Sequence, residues 1–475
     1  MSDRGRRSAF AVCVIGSAVT LIEISKINVA VPAIEGSLGG GPTGIQLIVV
    51  GYLVTFALVL VPAGRRGDMR SRRSLFIAGL VLFGVAAVGC ALAATAEMLI
   101  AFRLLQGVSA GIVVPQTLGI IQQLFRGAER GRALGVFGAV LSIALALGPT
   151  IGGVLIALGG PEFGWRLLFV MTLPIVVAIV PIAVRVLPRH QPESSLPRDL
   201  DPLGVALLAV ATVALLAPFV LTTGLPGDDP ARWLALPIAA AATAAFVWWE
   251  RRYRALGRGP LVDLTLFGIA GYRNGILLGS AFYAAMPGAL LVTALVLQQG
   301  WGVSAAAAGA ATVPFALASA VSSWVLGKYT HRFGRGIVVA GVVTTAVGLA
   351  GAVAVTFLVP EAIVPWVVAG VLTVGGAGGG AVVAANQTLT LDDVEPMRGG
   401  VAASVGQVGQ RIGTAVGTTI VTAVFYASVM PVAHGDAVSA YRDAYRNGAA
   451  VSLGLLAVAA VVAVVDQRRA ARGSV

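Results

Sequence analysis

Residues 9–31 read AFAVCVIGSAVTLIEISKINVAV, 23 residues whose only charges are Glu23 and Lys26. A helix of about 20 apolar residues is long enough to cross a bilayer. A charge at membrane depth costs about 2.5–3.5 kcal/mol on insertion scales. Residues three apart share a helix face, so Glu23 and Lys26 can offset part of that cost by pairing. The rest of the chain uses charge as sparingly. Of 475 residues, 57% are hydrophobic and 11% charged, with mean hydropathy +0.90; a soluble domain carries about a quarter charged residues. The sequence therefore predicts an all-α polytopic membrane protein, helices being the spanning element that runs of this length support.

Fourteen spans are expected, at 9–31, 44–63, 74–94, 97–121, 133–158, 165–187, 202–222, 232–250, 274–298, 304–327, 336–357, 363–388, 399–427 and 447–465. The 61 glycines suit such a bundle, since small residues let membrane helices approach closely. Cys13 and Cys90 each lie inside an apolar run, which supports neither a disulfide scaffold nor a metal cluster. The first run follows RGRR and lacks a small-residue cleavage site, so it reads as a retained span.

Charge placement sets the expected orientation. With both termini cytoplasmic, the inner segments hold 26 of the 33 Lys and Arg, the outer loops four, and the spans three: Lys26, Arg103 and Arg411. This is the positive-inside bias. It explains the net charge of +12 without a nucleic-acid partner.

The chain echoes itself. PQTL at 115–118 is followed by ERGRALGVFGAV at 129–140; NQTL at 386–389 is followed by MRGGVAASVGQV at 397–408. GRRGDMRSRR at 64–73 is matched by GKYTHRFGRG at 327–336, each read as a cytoplasmic loop. Two related halves are a common plan for transporters. The expected organisation is a six-helix bundle over 1–190, an inserted two-helix hairpin with its flanking loops over 191–260, and a second six-helix bundle over 261–475.

These motifs resemble those of the major facilitator superfamily, and within it the fourteen-span drug:proton antiporters. The loop after span 2 is similar to the family's G-x-x-x-D-R-x-G-R-R in Gly64, Asp68, Arg72 and Arg73, departing at Met69 and Ser71. Span 4 carries RLLQG from Arg103 to Gly107, like R-x-x-Q-G. Span 5 carries ALGPTIGG with Gly148, Pro149, Gly152 and Gly153, like G-P-x-x-G-G; span 13 carries QRIGTAVG from Gln410. The family's first span usually reads L-D-x-T-I-V-N-V-A-L-P; here Glu23 stands for Asp and Lys26 for an apolar residue. The resemblance implies a proton-coupled multidrug or antibiotic exporter working by alternating access in the plasma membrane. It implies a monomer whose partners are a small-molecule substrate, protons and the lipid bilayer, with no cofactor. Lys26 leaves open an anionic, zwitterionic or lipid-like substrate; a non-transporting membrane receptor is the reading from another class.

Each motif residue has a physical task to fill. Glu23 is either a titrating carboxylate in a water-filled cavity or half of a static ion pair. Arg103 lies at a depth similar to Glu23, at 1.5 Å per residue, and is expected as a second partner of its carboxylate or as a packing anchor. Asp68 with Arg72 and Arg73 reads as a cytoplasmic latch or a topology anchor. ALGPTIGG reads as a close-packing surface with a proline bend. Tyr52, Gln116, Phe282, Tyr283, Met286, Asn386, Gln407 and Arg411 are polar, aromatic or Met side chains near mid-depth and candidates for a cavity wall, Met and aromatic groups adapting to bulky apolar ligands. His190, His331 and His434 lie in expected loops without metal-ligand spacing, and GGAGGG at 375–380 follows no strand, so no enzyme signature stands.

Overall fold

The computed structural model describes residues 3–189, 201–221, 229–395, 398–429 and 437–473. His190 and His434 lie outside the described residues. All regular elements among the described residues are helical. In chain order they are α1 (Asp3–Leu38), α2 (Gly41–Met69), α3 (Arg72–Ala91), α4 (Ala96–Leu124), α5 (Gly127–Val170), α6 (Leu173–Val186), α7 (Pro202–Val220), α8 (Ala235–Ala255), α9 (Ala270–Leu295), α10 (Ala305–Gly327), α11 (Thr330–Phe333), α12 (Arg335–Leu358), α13 (Val364–Thr390), α14 (Gly399–Val429) and α15 (Ala437–Gly473).

Helix ends follow local chemistry. Gly39, Gly40 and Gly41 all take positive φ (67, 103 and 64°) and break α1 from α2. Ser71, Thr95, Asp201 and Ser304 cap α3, α4, α7 and α10, each side chain accepting a backbone N–H from the first turn. Thirteen segments among the described residues are long and apolar enough to span a membrane. The fifth expected span lies in the first part of α5, where Thr150–Gly160 forms a shorter apolar segment. Gly160 (φ 72°) kinks α5 between the fifth and sixth expected spans, and the segment that answers to the sixth expected span starts at Glu162.

Two expectations about loops change. Residues Gly64–Met69 continue α2 as helix, because the face of the helix that carries Gly64 and Gly67 is closely covered. His331 sits in the single turn of α11 rather than in a loop.

Two compact units emerge: Met1–Arg126 with Leu147–Gly268 and Val394–Val408, and Gly127–Ala146 with Ile269–Asp393 and Gly409–Val475. In the first, α4 packs along α1, α2 and α3, while α7 pairs with α8 and touches α2. In the second, α13 packs along α10 and α12, and α15 along α9 and α12. Helix α3 shows how the sequence sorts its faces: Phe76, Phe83 and Ala87 are buried, whereas Val81, Val85 and Val88 form an exposed apolar stripe at helical spacing.

The sequence echo is a packing echo. In the first unit a Cβ on Gly64 would lie 2.8 Å from the Gly400 carbonyl oxygen; in the second, one on Gly327 would lie 2.8 Å from Gly135 Cα and 3.1 Å from the Gly131 carbonyl oxygen. Each repeat thus brings a glycine at the end of one helix against the glycine-rich start of another.

Candidate functional site

Helix α1 places Glu23 and Lys26 one turn apart on one face, with Lys26 Nζ 2.5 Å from Glu23 Oε1. The same ammonium donates to the Leu168 carbonyl and lies 5.9 Å from the centre of the Phe169 ring. From α4, Arg103 Nη1 comes within 3.6 Å of Glu23 Oε2. Its guanidinium donates to Gln106 Oε1 (2.7 Å) and to the Ile48 carbonyl (3.0 Å) and stacks 4.6 Å from the centre of the Tyr52 ring. The Tyr52 hydroxyl donates to the Thr20 carbonyl at 2.5 Å. Glu23, Lys26 and Arg103 are all 0% exposed. Of the two expectations for Glu23, a titrating carboxylate in a water-filled cavity or half of a static ion pair, this conformation shows it paired and fully enclosed, walled in by these rings and backbone carbonyls.

The cluster therefore holds two cations and one anion out of water. Arginine keeps its charge in a protein. The carboxylate is the shared counter-charge for both cations, and it holds α1 to α4. Gln106, the glutamine of RLLQG, was given no role of its own from the sequence, although its place three residues after Arg103, on the same face, is a signal for one.

The small-residue stretch of α5 lies against this part of α1. A Cβ on Gly148 would press on the Ser25 hydroxyl and lie 3.0 Å from the Lys26 amide; one on Gly152 would lie 3.1 Å from the Lys26 carbonyl oxygen. Gly153 departs from the expected packing surface, with nothing within 4 Å of a Cβ there. Pro149 sits within the α5 helix between Gly148 and Gly152.

Asp68, near the end of α2, is held from two sides. Arg72 donates through Nη2 (2.7 Å) and Nε (3.2 Å), and its Nη1 donates to the Gly119 carbonyl (2.7 Å). The amides of Gly400 and Val401, in the first turn of α14, donate to the two carboxylate oxygens at 3.2 and 3.0 Å. A carboxylate there satisfies orphan N–H groups and faces the positive end of the helix dipole. Arg73 points elsewhere, donating to the Val184 carbonyl at the end of α6 (2.6 Å).

The eight expected cavity residues do not meet in one unit. Tyr52, Gln116 and Gln407 fall in the first and Phe282, Tyr283, Met286, Asn386 and Arg411 in the second. Gln116 is buried and donates to the Ala63 carbonyl (2.9 Å). Gln407 is also buried. Phe282 and Met286 pack into an apolar core with Leu278, Ala285 and Val342, because this face of α9 turns toward α13 and α15. Asn386 donates to the Gly275 carbonyl (2.9 Å), and Arg411, half-buried on α14, acts electrostatically on Tyr283. Two further ionic contacts were missed: buried Asp466 of α15 binds Arg335 and accepts from Asn274 Nδ2 (2.9 Å), and buried Arg130 pairs with the exposed Asp392. Asp466, a lone acid beside the basic run QRRAAR at 467–472, was the available signal for the first of these.

Comparison with known proteins places these features in a family. The family model for the Major Facilitator Superfamily matches residues 8–418. The probable actinorhodin transporter of Streptomyces coelicolor is 32% identical over 423 residues, 89% of this chain and 72% of that protein. The methylenomycin A resistance protein of the same organism is 30% identical over 430 residues, 89% of this chain and 86% of that protein. The crystal structure of the human organic anion transporter MFSD10 aligns with 96% of this chain and 100% of that one, with TM-score 0.65 and 16% identity, a likeness of fold.

Proposed function

Because this chain belongs to the Major Facilitator Superfamily, and so is a multi-pass membrane transporter and not an enzyme, we propose that it is a proton-coupled antiporter that exports small amphipathic compounds by alternating access. Relatives named for actinorhodin transport and for methylenomycin A resistance support the export of natural products or drug-like molecules. The reading places the chain as a monomer in the plasma membrane with both termini cytoplasmic, as its basic segments favour.

The observation that carries the coupling is the enclosed Glu23 carboxylate between Lys26 and Arg103. A proton on Glu23 removes the one counter-charge and leaves two cations facing each other out of water. Uncompensated buried charge is costly, so protonation works against this closed arrangement and favours one in which water reaches the cations. Release of the proton restores the cluster. Gly148 and Gly152 lie along the α1 segment that must move, and Asp68 on the α14 amides supplies a contact that parts as the transporter changes state. Across about 100 mV, each charge carried contributes roughly 2.3 kcal/mol to the drive.

The excess cation of the cluster favours a second reading, an anionic or zwitterionic substrate whose negative group takes the place of Glu23 at Lys26. The test is transport in proteoliposomes with an imposed pH gradient and a panel of cationic, neutral and anionic amphipathic compounds. Glu23→Gln is expected to abolish gradient-driven export while leaving ligand binding largely intact; unchanged export rejects the proton assignment. Lys26→Ile is expected to shift selectivity toward cations if the second reading holds.

A further inference from the structure

A second concentration of charge lies apart from the enclosed cluster. Three spanning segments end near one another in the first unit: α2, α8 and the start of α14. Between their ends is a pocket of about 270 Å³. Its charged lining comprises Arg65 and Asp68 of α2, Arg254 in the last turn of α8, Arg258 and Asp263 in the segment that follows, and Arg398 just ahead of α14. Four guanidiniums thus face two carboxylates.

Neither carboxylate is available to balance that excess further. Asp68 is occupied by Arg72 and by the Gly400 and Val401 amides. Asp263 bridges Arg254 (3.1 Å) and Arg398 (2.6 Å) and also accepts the Thr265 amide (3.0 Å). Outside this lining, Glu250 acts electrostatically on Arg65 and receives the Val262 amide (3.2 Å), Glu395 lies 3.6 Å from Arg398 Nε, and Arg72 pairs with Asp68, so the second ring lowers the excess from two positive charges to one. Asp263 also fixes the geometry: a single carboxylate holds Arg254 and Arg398 side by side, with their remaining N–H groups available to a further acceptor.

We infer that this pocket binds a phosphate group, and that the phosphate is the headgroup of an anionic phospholipid. Guanidinium forks match phosphate oxygens in pairs. Three span ends place the pocket at headgroup depth, where basic pockets between membrane helices take up lipid headgroups. The segment Leu256–Gly268 follows the α7–α8 hairpin, so the pocket is a consequence of that insertion. Occupancy draws Arg65 and Arg398 toward the ligand beside Asp68, so bound lipid acts on the contact that joins α2 to α14.

The test uses the full chain in neutral detergent, with thermal unfolding followed during titration by dihexanoyl phosphatidylglycerol, dihexanoyl phosphatidylcholine or inorganic phosphate. Phosphatidylglycerol is expected to stabilise the protein far more than phosphatidylcholine, and less so as salt rises. Arg254→Gln with Arg258→Gln, both exposed positions, is expected to weaken that effect about thirtyfold. Arg258→Gln alone leaves both Asp263 pairs in place and guards against a loss of fold; it is expected to weaken the effect about fivefold. If inorganic phosphate stabilises equally and competes with the lipid, the chemistry of the site stands and its lipid source falls. Equal stabilisation of wild type and both variants by phosphatidylglycerol, or no stabilisation by either anion, overturns the proposal.

Discussion

Replacing Glu23 by Gln keeps the size of the side chain and removes the one negative charge of the enclosed cluster. Its oxygens lie 2.5 Å from Lys26 Nζ and 3.6 Å from Arg103 Nη1. With an effective dielectric of about 20, these separations correspond to gross attractions of roughly 7 and 5 kcal/mol. Lost desolvation cost offsets much of that, and removal of one partner from a buried ion pair costs a net of about 3–5 kcal/mol. The free cysteines report where the cost falls. Cys90 is buried in the same packing cluster as Ile27, Trp165 and Leu168, next to the charges, whereas Cys13 is buried in a separate cluster with Phe76, Leu80 and Ile179. In single-cysteine proteins carrying Cys13→Ala or Cys90→Ala, thiol labelling in detergent measures local opening. Glu23→Gln is expected to speed labelling of Cys90 by roughly 10²-fold to several 10³-fold, at tenfold per 1.4 kcal/mol, with a smaller effect at Cys13. Adding Lys26→Met to Glu23→Gln removes one of the stranded cations and is expected to recover a coupling of about 2–3 kcal/mol. Unchanged Cys90 labelling in Glu23→Gln, or equal acceleration at both cysteines, refutes the view that this carboxylate holds α1 to α4.

Gly107→Ala drives a methyl into the Tyr52 carbonyl and the Thr55 hydroxyl at the α2–α4 crossing and is expected to cost about 1–3 kcal/mol of stability; Gly153→Ala, which meets nothing within 4 Å, is expected to be neutral or to gain up to about 1 kcal/mol, both read from thermal unfolding in detergent. Asp68→Ala strips the cap from the first turn of α14 and the partner from Arg72, at a cost of about 1–2 kcal/mol, and is expected to slow transport in proteoliposomes without altering which compounds are carried. Burial disfavours the Asp263 carboxylate, but the Thr265 hydroxyl and amide and the Arg254 and Arg398 guanidiniums outweigh it and hold its pKa below the ordinary carboxylate value. Its stabilisation is therefore complete above the pKa of the unfolded chain and lost as pH falls through the lower pKa of the folded one. An acid titration of thermal stability is expected to show a shallower fall for Asp263→Asn than for wild type; parallel curves count against this account.

Span number, the family motifs and the repeat all follow from runs of apolar residues and from short patterns with fixed spacing, because a helix in lipid must satisfy its backbone internally and its length is set by the bilayer. The same one-dimensional logic placed Glu23 and Lys26 on one face and brought Arg103 to their depth. It misjudged GRRGDM, whose glycines read as a loop but lie in helix because α14 and the Gln116 side chain cover them. It also could not see that Phe282 and Met286 pack into a core, since aromatic and Met side chains look alike whether they face a ligand or a neighbouring helix. Pairings between distant residues were decided only in three dimensions: Leu168 under Lys26, the Gly400 and Val401 amides on Asp68, and Asp263 between Arg254 and Arg398. Periodicity along the chain fixes which face of a helix is apolar, whereas the partner that meets that face depends on helix packing, which is set by all the helices together.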